Sequence, residues 1–242
     1  MGSFERTAPS RAGHHAHPER RTNEGAENYA KGIYHLQGRG DVPVHTNAVA
    51  ERLGVTPASA SAMLKRLAEE GLVDYEPYHG ARLTRKGERV ALETIRHHRL
   101  IELFLAEVLG MSWDRVHAEA EVLEHHISEE LEELIAAKLG QPEIDPHGDP
   151  IPGRDLAIGE DDSLPLEELE PGERATFVRV SDSDASMLRY LADRQIQPGV
   201  LIEVKAWEPF GGPVMVEIAG RTHPLGAELA RRMRVERAAE GR

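Results

Sequence analysis

RHHRLIELFLAEVLGMSWDRVHAEAEVLEHHISEE, residues 96–130, sets histidines and carboxylates at helical spacing on either side of a Gly110-Met111-Ser112 break. On the first helix His98 and Glu102 stand four residues apart; a second helix, whose pattern runs to near Gly140, carries His117, Glu121, Glu124 and His125. Residues three and four apart share a helix face. Leu100, Ile101, Leu103, Phe104 and Leu105 surround Glu102, and an ionised carboxylate buried among them is costly without a partner. A divalent cation is one such partner. His117 and Glu121 are one turn apart and Glu124 with His125 lie about one turn further on, which implies two neighbouring sites of nitrogen and oxygen donors. Imidazole with carboxylate suits Mn(II), Fe(II), Zn(II) or Co(II). A solvated acidic helix with incidental histidines is the plainer alternative for any one residue, and the density of the constellation weighs against it.

Composition limits what the rest can be. A chain of 242 residues with 40% hydrophobic content holds two or three small domains with ordinary cores, and no run approaches a membrane span. Cysteine is absent, so there are no disulfides or thiolate ligands, and a metal must sit on His, Asp, Glu, Asn, Met or backbone oxygen. The N-terminus lacks the continuous apolar core of a signal peptide, and the expectation is a cytoplasmic protein. The net charge of −13 is unevenly spread: residues 52–99 hold nine Lys/Arg against six Asp/Glu, and residues 100–176 hold four against twenty-one. Acidity therefore gathers over the candidate metal region, while the segment before it is mildly basic.

Residues 1–21 have almost no apolar periodicity and read as a disordered tail carrying His14, His15 and His17. A helical pattern begins near Glu24 with Ala26, Tyr29, Ala30, Ile33 and Tyr34 on one side and Asn28 and Lys31 on others, and it ends at the glycines 38 and 40. HTNAVAERLGVTPASASAMLKRLAEEGL, residues 45–72, gives a short helix, a tight turn at Gly54-Val55-Thr56, and a second helix capped by Thr56 with Pro57 at its first position. Ala60, Met63, Leu64 and Leu67 form its buried stripe, and Gly71 ends it. Two short helices so joined make a helix-turn-helix, and the β-prone runs 72–77 and 81–84 around Tyr78-His79-Gly80 supply a hairpin wing.

Within or just after this motif come Lys65, Arg66, Arg82, Arg85, Lys86 and Arg89, suited to phosphate. The face expected on DNA comprises Thr56, Pro57, Ser59, Ser61, Ala62, Lys65, Arg66 and Arg82. Its second-helix positions are mostly small, which favours readout of shape and backbone over bidentate base contacts. A long helix then runs from about Thr84 to Leu109. Residues 140–163 read as loop and linker, and beyond them come short strands at 176–180, 201–206, 214–218 and around 221–223, with a helix at 185–194.

HHRLIELFLAEVLGM, DRVHAEAEVLEHHISEEL, the helix-turn-helix and DPHGDPIPG together resemble the diphtheria-toxin-repressor family of metal-dependent transcriptional repressors, over about residues 24–236. The resemblance implies a mainly α fold with a small β domain: a winged helix-turn-helix at 22–91, a helical dimerisation and metal domain at 92–140, a linker at 141–163, an SH3-like barrel at 164–236 and a short tail at 237–242. It implies a homodimer that grips double-stranded operator DNA when metal is bound and represses genes of metal uptake. By the same match His98, Glu102 and His117 form an ancillary site joined by a residue of the SH3-like domain, best aligned to Asp184 and less well to Met187. Glu121, Glu124 and His125 form the other site with Asn28, where the family usually has Asp or Met. Iron repressors of the family commonly carry cysteine where this chain has Glu121, whereas its manganese regulators carry glutamate. Mn(II) is thus expected first and Fe(II) second, with Zn(II) or Co(II) binding in vitro.

Two other readings stand beside this one. A hydrolase would use Glu124 as general base beside a metal held by His117 and His125, but there is no HExxH, nucleophile elbow or phosphate-binding glycine loop. A winged-helix regulator answering an organic molecule or a protein would leave the acidic helix merely solvated.

Overall fold

The structure, a computed structural model, describes residues 23–38, 42–159, 161–182 and 184–238. The expected N-terminal tail with its three histidines, and the last residues of the C-terminal one, lie outside the described residues.

The first unit opens with α1 (Glu24–Gln37), whose N-cap Asn23 accepts from the Gly25 backbone. Next come α2 (Thr46–Arg52) and α3 (Pro57–Glu69), where Thr56 Oγ1 caps α3 by accepting from Ser59 N–H at 3.1 Å. Ala60, Leu64 and Leu67 turn inward onto Ile33, Val49 and Leu72, a core made because each short helix is apolar on one stripe only. The antiparallel wing pairs β1 (Val73–Glu76) with β2 (Gly80–Leu83), and Val44 bridges to Ala81 to fasten it to the helices.

From the wing, Thr84 caps the 23-residue α4 (Arg85–Glu107), which leaves the first unit and becomes the spine of the second. The second metal-bearing helix expected from the sequence is two helices: α5 (Val116–Leu123) stops at Glu124, and α6 (Glu129–Lys138) starts anew at Ser128, whose Oγ accepts from Leu131 N–H. Glu124 and His125 thus sit on the turn after α5. A side chain that caps locally offers the backbone an alternative to continuing the preceding helix, and that is what breaks the run. Between α4 and α6, Glu132 takes Arg96 Nε at 2.5 Å and pairs with His97 Nε2 at 2.9 Å.

Residues 141–153 are more than a spacer. Asp145, His147 and Ile151 are buried, Arg96 and Arg99 of α4 donate to the carbonyls of Pro152 and Pro150, and Val180 N–H donates to the carbonyl of His147. Gly148 permits the approach: at φ +89° it lies so close to the third unit that an added Cβ would stand 1.9 Å from the Val178 carbonyl oxygen.

The third unit is a six-stranded antiparallel sheet in the order β3-β8-β4-β5-β6-β7. Its strands are β3 (Leu164–Pro165), β4 (Arg174–Val180), β5 (Leu201–Trp207), β6 (Val214–Ile218), β7 (Arg221–Leu225) and β8 (Met233–Arg237). Of these, β3 and β8 lack a pattern of their own in the sequence, one being two residues long and the other following directly on α8 (Ala227–Arg232). With α7 (Ala185–Ala192), the inward residues of the sheet close a core around Phe177, Val204, Val216, Leu188 and Leu191. The chain is mainly α with one small β domain. No helix among the described residues is long and apolar enough to cross a membrane.

Candidate metal centre

The second and third units meet at one cluster. His98 and Glu102, one turn apart on the buried face of α4, face His117 from α5 and Asp182, two residues beyond the end of β4. His98 Nε2 lies 3.0 Å from Glu102 Oε1 and 3.0 Å from His117 Nδ1; His117 Nδ1 lies 3.2 Å from Glu102 Oε1 and 3.1 Å from Asp182 Oδ2. Donors held about 2.1–2.2 Å from one divalent ion stand about 3–3.4 Å from their neighbours, so these separations match those that ligands of a single ion would have.

The surroundings of His98 agree with that fit. His98 Nδ1 is 2.5 Å from Glu124 Oε2; if it donates there, the lone pair of Nε2 faces a carboxylate oxygen and the second imidazole. A carboxylate behind a ligating histidine is the usual support for a metal-bound ring. Without an ion the cluster must hold protons instead. Burial would lower the pKa of His98, but its bonds with Glu102 and Glu124 raise it to about 9. Burial likewise opposes the charge on His117, and Asp182 and Glu102 outweigh it, raising the pKa to about 10. Burial raises the pKa of Glu102, yet His117, His147 and His98 hold it well below the usual carboxylate range; Asp182, half-buried, is opposed by desolvation in the same way and is brought by His117 to about 2.

Glu102 is 0% exposed, and its Oε2 has no hydrogen-bond partner among the described residues. It looks onto His147 Nδ1 at 3.6 Å, and His147 Nε2 reaches the Trp113 carbonyl at 2.8 Å.

A second cluster lies beside the first, between α1 and the turn after α5. His98 Nδ1, Glu121 and Glu124 offer ligand atoms within 4.8 Å of one another. His125 Nδ1 is 2.5 Å from Glu27 Oε2, its Nε2 is 3.1 Å from Asn28 Oδ1 and 3.3 Å from Glu124 Oε1, and the acidic partners raise its pKa, Glu27 foremost. Lys31 Nζ donates to Glu121 Oε1 at 2.8 Å and to Glu124 Oε1 at 2.6 Å. Both clusters border one open cleft of about 900 Å³ that reaches from α1 to the third unit.

The structure thus brings Asn28, Glu121, Glu124 and His125 together, and His98, Glu102 and His117 beside them. It corrects the eighth expected residue. Asp184 is half-buried and caps α7, its Oδ1 accepting from Ser186 N–H and Oγ–H and from Met187 N–H; Met187 packs on the core of the third unit. Asp182 stands in their place. Lys31, Glu27 and His147 were not read from the sequence as members of either site. A lysine on a helix face has no local mark that distinguishes it from a solvated one.

The residues expected to face nucleic acid lie on α3, its cap and β2 of the first unit. Thr56, Pro57, Ser59, Ala62, Lys65 and Arg66 are exposed, and Ser61 and Arg82 are half-buried. The serines among them are engaged within the protein: Ser59 Oγ is 2.9 Å from Thr56 Oγ1, and Tyr75 reaches Ser61 Oγ at 3.5 Å. Arg66 pairs with Glu70 at 2.9 Å.

Residues 21–81 match the N-terminal DNA-binding domain of the iron-dependent repressors, residues 84–153 match their metal-binding and dimerisation domain, and residues 164–237 match the FeoA domain. The iron-dependent repressor IdeR of Mycobacterium leprae is 32% identical over 224 residues, which is 87% of this chain and 96% of the relative. The diphtheria toxin repressor of Corynebacterium glutamicum is 29% identical over 221 residues, covering 87% and 95%. Among solved structures, a manganese-dependent transcriptional repressor in complex with manganese superimposes with a TM-score of 0.81 at 42% identity, covering 88% of this chain and 100% of that one.

Proposed function

The chain belongs to the family of iron-dependent repressors, which are DNA-binding transcriptional repressors and not enzymes, and from that premise we propose that Mn(II) activates it to bind operators of metal-uptake and homeostasis genes. The observation that carries the reading is the set of 3.0–3.2 Å edges among His98, Glu102, His117 and Asp182. These four would hold one ion; Asn28, Glu121, Glu124 and His125 are the donors for a second. A bound divalent ion supplies positive charge and a fixed arrangement of donors, with no bond of any substrate made or broken. Asn28 rides on α1 of the DNA-binding unit and Asp182 on the third unit, so the two sets tie both neighbours to α4 and α5. Such coupling is typically ~1–3 kcal/mol.

Hard donors favour manganese. Neither set contains sulfur, since the chain has no cysteine and no methionine is among these eight residues, and a carboxylate at Glu121 suits Mn(II) first and Fe(II) second. Zn(II) and Co(II) bind in vitro on raw affinity. The partners are double-stranded operator DNA in the cytoplasm and a second copy of this chain. For the second copy, the helical unit offers Leu109, Val122 and Leu134, each more than 60% exposed, as apolar surface that a symmetric dimer would bury.

Fluorescence anisotropy on a promoter fragment selected from genomic DNA by the Mn(II)-loaded protein tests the reading at fixed salt. Affinity should rise about tenfold or more with Mn(II) over chelator, in line with the coupling above. Equal affinity in the two conditions refutes it.

A further inference from the structure

The second cluster already contains a cation. Lys31 extends from α1, with its side chain largely buried, and its ammonium sits 2.8 Å from Glu121 and 2.6 Å from Glu124, the two carboxylates that would have to take an ion there. Glu124 is fully buried, and its other oxygen is taken by His98. Lys31 Nζ and His125 Nε2 approach the same Glu124 oxygen, at 2.6 and 3.3 Å, so ammonium and imidazole already share an acceptor that a metal would claim. The first cluster differs in kind: within it His98, Glu102, His117 and Asp182 contact one another and not a Lys or Arg, and Glu102 Oε2 is left without a hydrogen-bond partner among the described residues. Buried carboxylates need a counter-charge. In the first cluster that charge must come from protons or an ion; in the second, the chain supplies it.

We propose that Lys31 is a built-in competitor for metal at the second cluster, holding Glu121 and Glu124 with its ammonium until a divalent ion displaces it. The inference rests on the metal-site reading above and adds an order to it. The first cluster fills at low metal, and the second fills only when the free ion is concentrated enough to break the two ammonium–carboxylate bonds. Because Lys31 lies on α1, its departure also releases one of the ties between the DNA-binding unit and α5 with its following turn, beside those of His125 to Glu27 and Asn28, and the ion then replaces it. The same contact that keeps the second site closed therefore helps to dock α1 in the metal-free chain.

Free Mn(II), counted by the electron paramagnetic resonance signal of its aquo ion during titration of the full chain, reads both sites without reference to DNA. The parent chain should show one tight and one weaker class of sites. Lys31→Met should leave the tight class unchanged and strengthen the weaker one about 10- to 100-fold, the equivalent of the charge-assisted hydrogen bonds an incoming ion no longer has to break. Lys31→Arg, which keeps the charge, should retain the weak class. Melting gives a second readout: in chelator Lys31→Met should melt below the parent, since Glu121 and Glu124 lose their counter-charge, and Mn(II) should raise its melting temperature by more than the parent's. Should Lys31→Met not fold without metal, Lys31→Gln is read in the same way. Two equally tight sites in the parent, or a weak class indifferent to residue 31, overturns the inference while leaving the metal reading intact. Failure of parent and variants alike to take up any Mn(II) overturns both.

Discussion

Loading the first cluster should expel about two protons near neutral pH, because a nitrogen that carries a proton has no lone pair for an ion. In the metal-free chain the His98 pKa stands at about 9 and that of His117 at about 10, burial being outweighed in each case by carboxylates, while Glu102 and Asp182 are already ionised. Below about pH 9 each ring must give up one proton, so apparent Mn(II) affinity should rise about 100-fold per pH unit, tenfold for each proton. The slope should halve between about pH 9 and 10 and vanish above; ordinary imidazoles, titrating near ~6.5, would already have levelled off by about pH 7.5. Isothermal titration in two buffers of different ionisation enthalpy gives the proton count directly. Asp182→Asn should bring it towards one, since the strongest influence raising His117 is removed. A saturating titration that releases almost no protons at about pH 7.5 refutes the reasoning. The same raised pKa values fix the sign of the stability profile. Their contribution to the metal-free chain is full below ~6.5, the unfolded value, and is lost as pH rises through about 9 and 10. Melting temperature in chelator should therefore fall across that window.

Three further outcomes are open to measurement. Asp182→Asn should weaken the tight Mn(II) class by about tenfold or more, whereas Asp184→Asn, which still caps α7, should leave it unchanged; equal losses would show that the choice between them is wrong. Lys65→Ala should reduce the magnitude of the salt-dependence slope of DNA binding by ~1 on operator and random DNA alike, with Ser59→Ala nearly silent, and a Ser59→Ala chain that loses discrimination between sites would put direct base readout in charge. Gly148→Ala should destabilise the fold by ~2–3 kcal/mol in chemical denaturation, from the left-handed φ and the clash with the Val178 carbonyl; a change near zero would mean that residues 141–153 are not packed on β4 as described.

Much of the fold was legible because the forces that set it are local. Thr56 and Pro57 place the start of α3, the wing follows from two β-prone runs around a tight turn, and α4 shows a capping threonine ahead of a long apolar stripe. His98 and Glu102 share a face for the same reason, being one turn apart in a single helix. The end of α5 was within reach too, through the cap at Ser128, but a continuous helical pattern across residues 116–138 masked it.

Tertiary structure decided the members of each cluster that come from elsewhere. In Ser181-Asp182-Ser183-Asp184 two acids compete, and nothing near them in the chain says which faces His117; that is set by where β4 ends against α5, with the neighbouring acid consumed in capping α7. His147 was visible as part of a loop, and only the packing of residues 141–153 between α4 and β4 carries it to Glu102. Lys31 is the clearest case. It meets Glu121 and Glu124 across 90 and 93 residues of chain, and side-chain periodicity, which records neighbours within a helix, holds no trace of a contact made by docking one helix on another.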